Sequence, residues 1–209
     1  MTFESLEQAK LFHKQNKNNW IGEALAEYKH DINKIIKEFD VKSILDYGCG
    51  KAEFQKYIFE KNLKITNFDP AYEEFSKKPV GFFDLVLCID VMEHIEESKV
   101  EEVFADIFSY SNKVFLTISC YPAIQTLPNG KNAHYTIKEP NWWENKLKPY
   151  ENKYTVIFQV KPERSKLQNL PEEWKPNKIT IERIQKNIND KRLDPIQIEK
   201  YLSNTNPRS

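Results

Sequence analysis

The chain has 209 residues, 40 % apolar and 30 % charged, and its 31 basic and 31 acidic side chains cancel. This is the composition of one soluble globular domain with an appendage, and it offers no net field to draw a phosphate backbone, so nucleic-acid binding is not expected. Cys49, Cys88 and Cys120 lack C-x-x-C spacing and give neither a disulfide framework nor a zinc site, while the absence of a signal-like start or an 18-residue apolar run points to the cytoplasm and away from a membrane.

In chain order, Ser5 to Lys17 and Trp20 to Phe39 predict two N-terminal helices; the second carries Ile21, Leu25, Tyr28, Ile32, Ile35 and Ile36 at helical spacing. KSILDYG predicts a strand ending at Gly48, Lys51 to Lys61 a helix, and LKITNFDP a second strand closed by Asp69 and Pro70. FDLVLCID (83–90) is almost wholly apolar, as a parallel strand covered on both faces must be. A helix over Ser98 to Tyr110 and a strand at KVFLTIS (113–119) repeat the unit, and such repetition implies a parallel sheet.

Past Ser119 a loop containing Pro122, Pro128 and Asn129-Gly130 leads to a short helix in EPNWWENKL and a strand in KYTVIFQV. Residues 161–209 hold 11 basic and 7 acidic side chains and five of the eleven prolines. They read as a polar C-terminal extension with one or two loosely attached helices, not as a second domain.

The segment ILDYGCGKAEF raises the question of ligand. Gly48 and Gly50 lie in the first strand-to-helix turn, where ligands of open parallel sheets bind. A dinucleotide fingerprint needs a third glycine where this chain has Glu53, and no phosphate-loop motif is present, so the ligand lacks phosphate. S-adenosyl-L-methionine fits: its ammonium favours an acid near the turn, which Asp46 supplies. Asp69, nineteen residues beyond Gly50, is placed to accept hydrogen bonds from both ribose hydroxyls. Asp90, ending the third strand, falls on the same sheet edge.

With these residues in register, the chain resembles the class I S-adenosylmethionine-dependent methyltransferases over about residues 40 to 160. The resemblance implies a Rossmann-like α/β fold, a mostly parallel sheet with helices on both faces. It implies a methyltransferase domain over 1–160, with N-terminal helices in 1–40. It further implies a cofactor set of Asp46, Gly48, Cys49 and Gly50 at the first motif, Asp69 and Pro70 at the second strand, and Asp90 and Val91 at the third. VMEHI looks like the D-x-x-E-H pattern of members acting on small molecules. LPNGKNAHYTIKEPNWWENKL (127–147) is similar to a phage and bacterial group with a G-[RK]-N-A-H segment and a Trp-Trp pair. One departure stands out: only the 14 residues between Asp69 and Asp84 replace the usual helix, strand and helix, so the third strand is missing or shortened and adenine recognition must come from this segment, through Tyr72 or Phe75, or from elsewhere.

Methyl transfer from a sulfonium needs alignment and removal of a proton, and no intrinsic metal. His134 and His94 are the candidate catalytic residues, with an imidazole that titrates near neutral pH. Asn132 and Trp142 are candidates for substrate contact; Trp142 and Trp143 point about 100° apart on a helix, so only one can face a pocket. Cys120 lacks the Pro-Cys pair of pyrimidine C5 methyltransferases, and the motif of base-amino methyltransferases is missing. The N-terminal helices, with His13 and Trp20, are either a lid or a plain packing layer. The expectation is transfer to an oxygen or nitrogen of a small-molecule or sugar-like acceptor, with the oligomeric state open. Two alternatives remain, a nucleic-acid methyltransferase using the basic tail and a catalytically silent cofactor-binding subunit.

Overall fold

A computed structural model of the chain describes residues 3–16, 24–161 and 185–186. Five parallel strands form its centre: β1 (Ser43–Tyr47), β2 (Lys64–Phe68), β3 (Leu85–Ile89), β4 (Lys113–Ser119) and β5 (Thr155–Lys161). A two-residue β6 (Gln185–Lys186) pairs antiparallel with β5, and the strand order is β2-β1-β3-β4-β5-β6. The fold is Rossmann-like α/β with a mostly parallel sheet, as the sequence implied.

Alternation along the strands assigns side chains to two layers. Ile44, Leu85, Leu87, Phe115 and Ile157 face one way, against Tyr28, Ile32, Ile35 and Ile36 of α2 (Ala24–Glu38). Leu45, Val86, Cys88, Val114, Leu116, Ile118, Val156 and Phe158 face the other. There they meet Val103, Phe104, Ile107 and Phe108 of α3 (Val100–Phe108) and Trp143 and Leu147 of α4 (Pro140–Glu151). Each fully buried large apolar side chain contributes about 2 kcal/mol of transfer free energy, which fixes the sheet between the helices. α1 (Glu4–Gln15) lies outside this sandwich.

Three expectations are corrected or sharpened. The helix predicted over Lys51 to Lys61 is only a 3-10 turn, Glu53–Tyr57. Asn33 of α2 explains this: its amide donates to the Tyr57 carbonyl at 2.7 Å and accepts from the Phe59 N–H at 2.8 Å. Both groups would otherwise extend the helix ladder. Between β2 and β3 there is a 3-10 turn, Glu73–Phe75, and no strand, so β2 is the sheet edge where a third strand would pair. The helix expected in EPNWWENKL continues to Glu151, opened by Pro140, whose missing N–H costs nothing at a helix start. Trp20 and most of the C-terminal extension lie outside the described residues, and the pair described there, Gln185–Lys186, is a strand.

The order reverses about β1, which has β2 on one side and β3 on the other. The crevice beyond the carboxyl ends of β1 and β3 is therefore the switch point where ligands of such sheets bind.

Candidate active site

Gly48 and Gly50 adopt φ of 81° and 52°, the left-handed region that glycine enters without strain. The amides of Gly48 and Cys49 both donate to the Phe68 carbonyl, at 2.7 and 3.2 Å, and Gly50 N–H donates to Asp69 Oδ2 at 2.9 Å. Three successive N–H groups are thus spent on the end of β2. A turn committed this way has no cradle of amides for a pyrophosphate, which gives the absent third glycine a structural counterpart. Asp69 accepts a second bond from Ala71 N–H at 2.8 Å, so two of its lone-pair sites are used and two remain for a ligand's hydroxyls. Pro70 follows it, half-buried.

Asp46 sits inside β1, between Asn67 and Leu87, and is 2 % exposed. Among the described residues its Oδ2 is buried without a hydrogen-bond partner. Burial, and secondarily the charge of Asp69, pushes its carboxyl up to about 7. A buried, unpartnered carboxylate is costly, and a bound cation relieves that cost. Cys49 is buried beside both acids, and burial raises its thiol far above its usual range, so it packs and does not react.

On the β3 side, Asp90 takes φ 53° and is held by Thr117, whose hydroxyl donates to Asp90 Oδ1 at 2.8 Å. Val91 packs into the space where a Cβ on Gly48 would lie: that atom would sit 2.3 Å from Val91 Cγ2. Gly48 is therefore required by Val91 as well as by its own backbone.

His94 closes the 3-10 turn Met92–His94, and its Nδ1 meets the Ala133 carbonyl at 2.8 Å. A carbonyl only accepts, so Nδ1 carries the proton and the lone pair of the neutral ring is on Nε2. Burial lowers the basicity of His94, keeping it neutral. The same tautomer holds for His134, whose Nδ1 donates to the Tyr121 carbonyl. The two imidazoles meet edge to face, centroids 4.8 Å apart. The loop is fastened to the turn by Thr136 N–H on the Glu93 carbonyl and Thr136 Oγ1 on the Ile95 carbonyl.

α1 covers this crevice. Glu4 pairs with Lys131 at 2.8 Å, Ser5 N–H donates to Glu96 at 2.7 Å, and Phe12 packs on Ala123, Leu127 and Ala133. At its far end His13 lies edge-on to Tyr72, 5.9 Å between centroids, within electrostatic reach of Asp69 and Lys51. Tyr72 in turn stacks on Phe75.

A family model described as a methyltransferase domain matches residues 20–165, more than half of the chain. The chain belongs to this methyltransferase family. The methyltransferase takes S-adenosylmethionine as its cofactor. No curated protein matches it. Among solved structures, a SAM dependent methyltransferase from Archaeoglobus fulgidus is similar over 67 % of this chain and 72 % of that one, at 16 % identity and a TM-score of 0.40, a likeness too loose to add weight. No described helix of the methyltransferase is long and apolar enough to cross a membrane.

The residues present fit that cofactor. The unpartnered Asp46 oxygen calls for a cation, and the amino-acid ammonium is one. The remaining site candidates separate. Asn132 spends its side chain on the loop, accepting from Ala123 N–H and His134 N–H and donating to the Ala123 carbonyl, so it positions His134 and has one N–H left. Trp142 lies between Lys138 and Lys146, 5.4 and 5.3 Å from its ring, against the wholly buried Trp143; these contacts join α4 to the α3 side. Sequence reasoning missed Glu93 and Thr117. Glu93 was visible in the Glu-His dipeptide, whereas nothing local marks Thr117.

Proposed function

We propose that the methyltransferase acts on an oxygen or nitrogen of a small-molecule or sugar-like acceptor. Asp46, Gly48, Cys49, Gly50, Asp69, Pro70, Asp90 and Val91 form the cofactor side of its pocket, and His94 and His134 the receiving side. The observation that carries the cofactor side is the buried Asp46 oxygen without a partner. Bound S-adenosylmethionine supplies an activated methyl group on a cationic sulfur. Asp46 neutralises an ammonium, Asp69 accepts from ribose hydroxyls through its two remaining sites, and the Tyr72–Phe75 stack offers a face for adenine.

A small acceptor is favoured by enclosure. α1 roofs the crevice from Glu4 to His13, which leaves little room for a duplex or a folded partner. The segment from Gly130 to His134 forms part of the wall under α1, consistent with the narrower phage and bacterial group that carries the same motif. The Nε2 lone pairs of His94 and His134 face the tasks that remain, to align the acceptor and to receive its proton or a cation.

The test pairs calorimetry of S-adenosylhomocysteine with methyl transfer to hydroxyl and amine acceptors, and to DNA and RNA. His134→Ala is expected to keep cofactor affinity while turnover falls by at least about 100-fold. Salt-sensitive methylation of nucleic acid with small acceptors inert would overturn the reading. Cofactor binding with no turnover on any acceptor would make the chain a silent subunit.

A further inference from the structure

We infer that Glu93, His94 and His134 form a divalent-metal site on the receiving side of the pocket, for a borderline first-row ion such as Zn2+ or Mn2+. The ion's open positions take an oxygen of the acceptor. The inference deepens the function proposed above and rests on it for the ion's role, though not for its binding.

One donor atom from each of these three residues lies within 4.8 Å of the other two. Donors around an ion with bonds of about 2.1 Å stand roughly 3 to 3.5 Å apart. Side-chain shifts of about 1 Å close the set, which is the scale of adjustment when an ion enters. Both histidines are prepared for it in the same way: each Nδ1–H is fixed on a backbone carbonyl, Ala133 for His94 and Tyr121 for His134, so the metal-binding lone pair is on Nε2. Imidazole ligands of metals are held by such outer bonds in general. Glu93 is wholly buried, and its Oε1 is oriented by Ser119 N–H at 3.0 Å.

The chemistry selects the ion. Two imidazoles and one carboxylate suit zinc, manganese or iron better than magnesium or calcium, which want oxygen alone. Three protein donors leave coordination open, the mark of a metal that binds substrate instead of one that only holds the fold. An acceptor hydroxyl on that ion is acidified. In the transfer its oxygen forms the bond to the methyl carbon, the carbon–sulfur bond breaks with its electron pair going to sulfur, and the hydroxyl proton leaves to water. This departs from the sequence-based expectation that no metal is needed.

The test uses the full-length chain with any affinity tag removed, stripped with chelator and titrated with ZnCl2, MnCl2 and MgCl2 by calorimetry, with Co2+ absorption as an independent readout. One Zn2+ or Mn2+ per chain, Mg2+ bound far more weakly, and about 100-fold weaker Zn2+ binding in His134→Gln and in the near-isosteric Glu93→Gln support the site. No stoichiometric binding, or binding unchanged in both folded variants, overturns it; circular dichroism establishes that each is folded. S-adenosylhomocysteine titrated into the same metal-free protein separates the two readings. Cofactor binding without metal binding sinks this inference alone, and metal binding without cofactor binding sinks the function proposed above.

Discussion

At the ends of β1 and β2 the chain builds its site from near neighbours, while at the ends of β3 and β4 it builds from distant ones. Gly50 reaches Asp69 across 19 positions, with one short strand between. His94 reaches Ala133 across 39 and Ile95 reaches Thr136 across 41, through a helix, a strand and a loop. The first region is a turn whose residue types are forced by backbone geometry and by one unpartnered acid. The second is a clasp of two loops, in which carbonyls and amides orient the histidines. Near-neighbour geometry leaves a pattern in sequence, and a clasp does not.

Four substitutions probe this contrast, beginning with the largest expected effect. Asp46→Asn tests the unpartnered acid. In the unfolded chain Asp46 ionises from about 3.8, and in the fold only near about 7, so the folded state loses stability as pH rises through that window. Above it, the ligand-free Asp46→Asn variant is expected to exceed the wild type in stability by up to about 4 kcal/mol in denaturant titrations at pH 8, with no gain at pH 3. The same variant should bind S-adenosylhomocysteine at least tenfold more weakly at pH 8. In the wild type that affinity should rise between pH 6 and 8 as Asp46 ionises. A pH-independent affinity would remove the acid from the cofactor side.

Gly48→Ala comes next, at a cost of about 3 kcal/mol from overpacking and from its positive φ. Adding Val91→Ala should restore part of the melting temperature, since Val91 is the side chain the new methyl strikes. No rescue would mean that the backbone, not the contact, sets the cost. Asp69→Ala should weaken S-adenosylhomocysteine by about tenfold in calorimetry, the scale of hydrogen bonds to a charged group. Last is Lys131→Ala, which breaks a half-exposed pair with Glu4 and should leave the melting temperature unchanged. A drop of several degrees would show that charge, and not the packing of Leu6 and Phe12, holds α1 down.

The contrast also explains what could be read in advance. β1, β3 and β4 were legible because strands covered on both faces are apolar runs, and β3 is buried at every position. The glycine turn and Asp69 were legible because one spacing serves one geometry. The helix after the turn was misread because Asn33, in another element, takes its hydrogen bonds. Asn132 looked like a ligand contact, yet its amide serves Ala123, a partner visible only in the folded loop. That one tryptophan of the pair is in the core was legible from their angular offset, and it is Trp143, but the lysines flanking Trp142 come from a turn above and below it.

Val91 occupies the hollow that Gly48 leaves, and it directly precedes the turn bearing Glu93 and His94. The two regions therefore share a bearing surface with no slack in it. A side chain added at Gly48 would press on the β3 turn through Val91. Loss of the His134 ring leaves this contact between a valine and a missing methyl in place, so the cofactor side keeps its shape when the clasp loses a side chain.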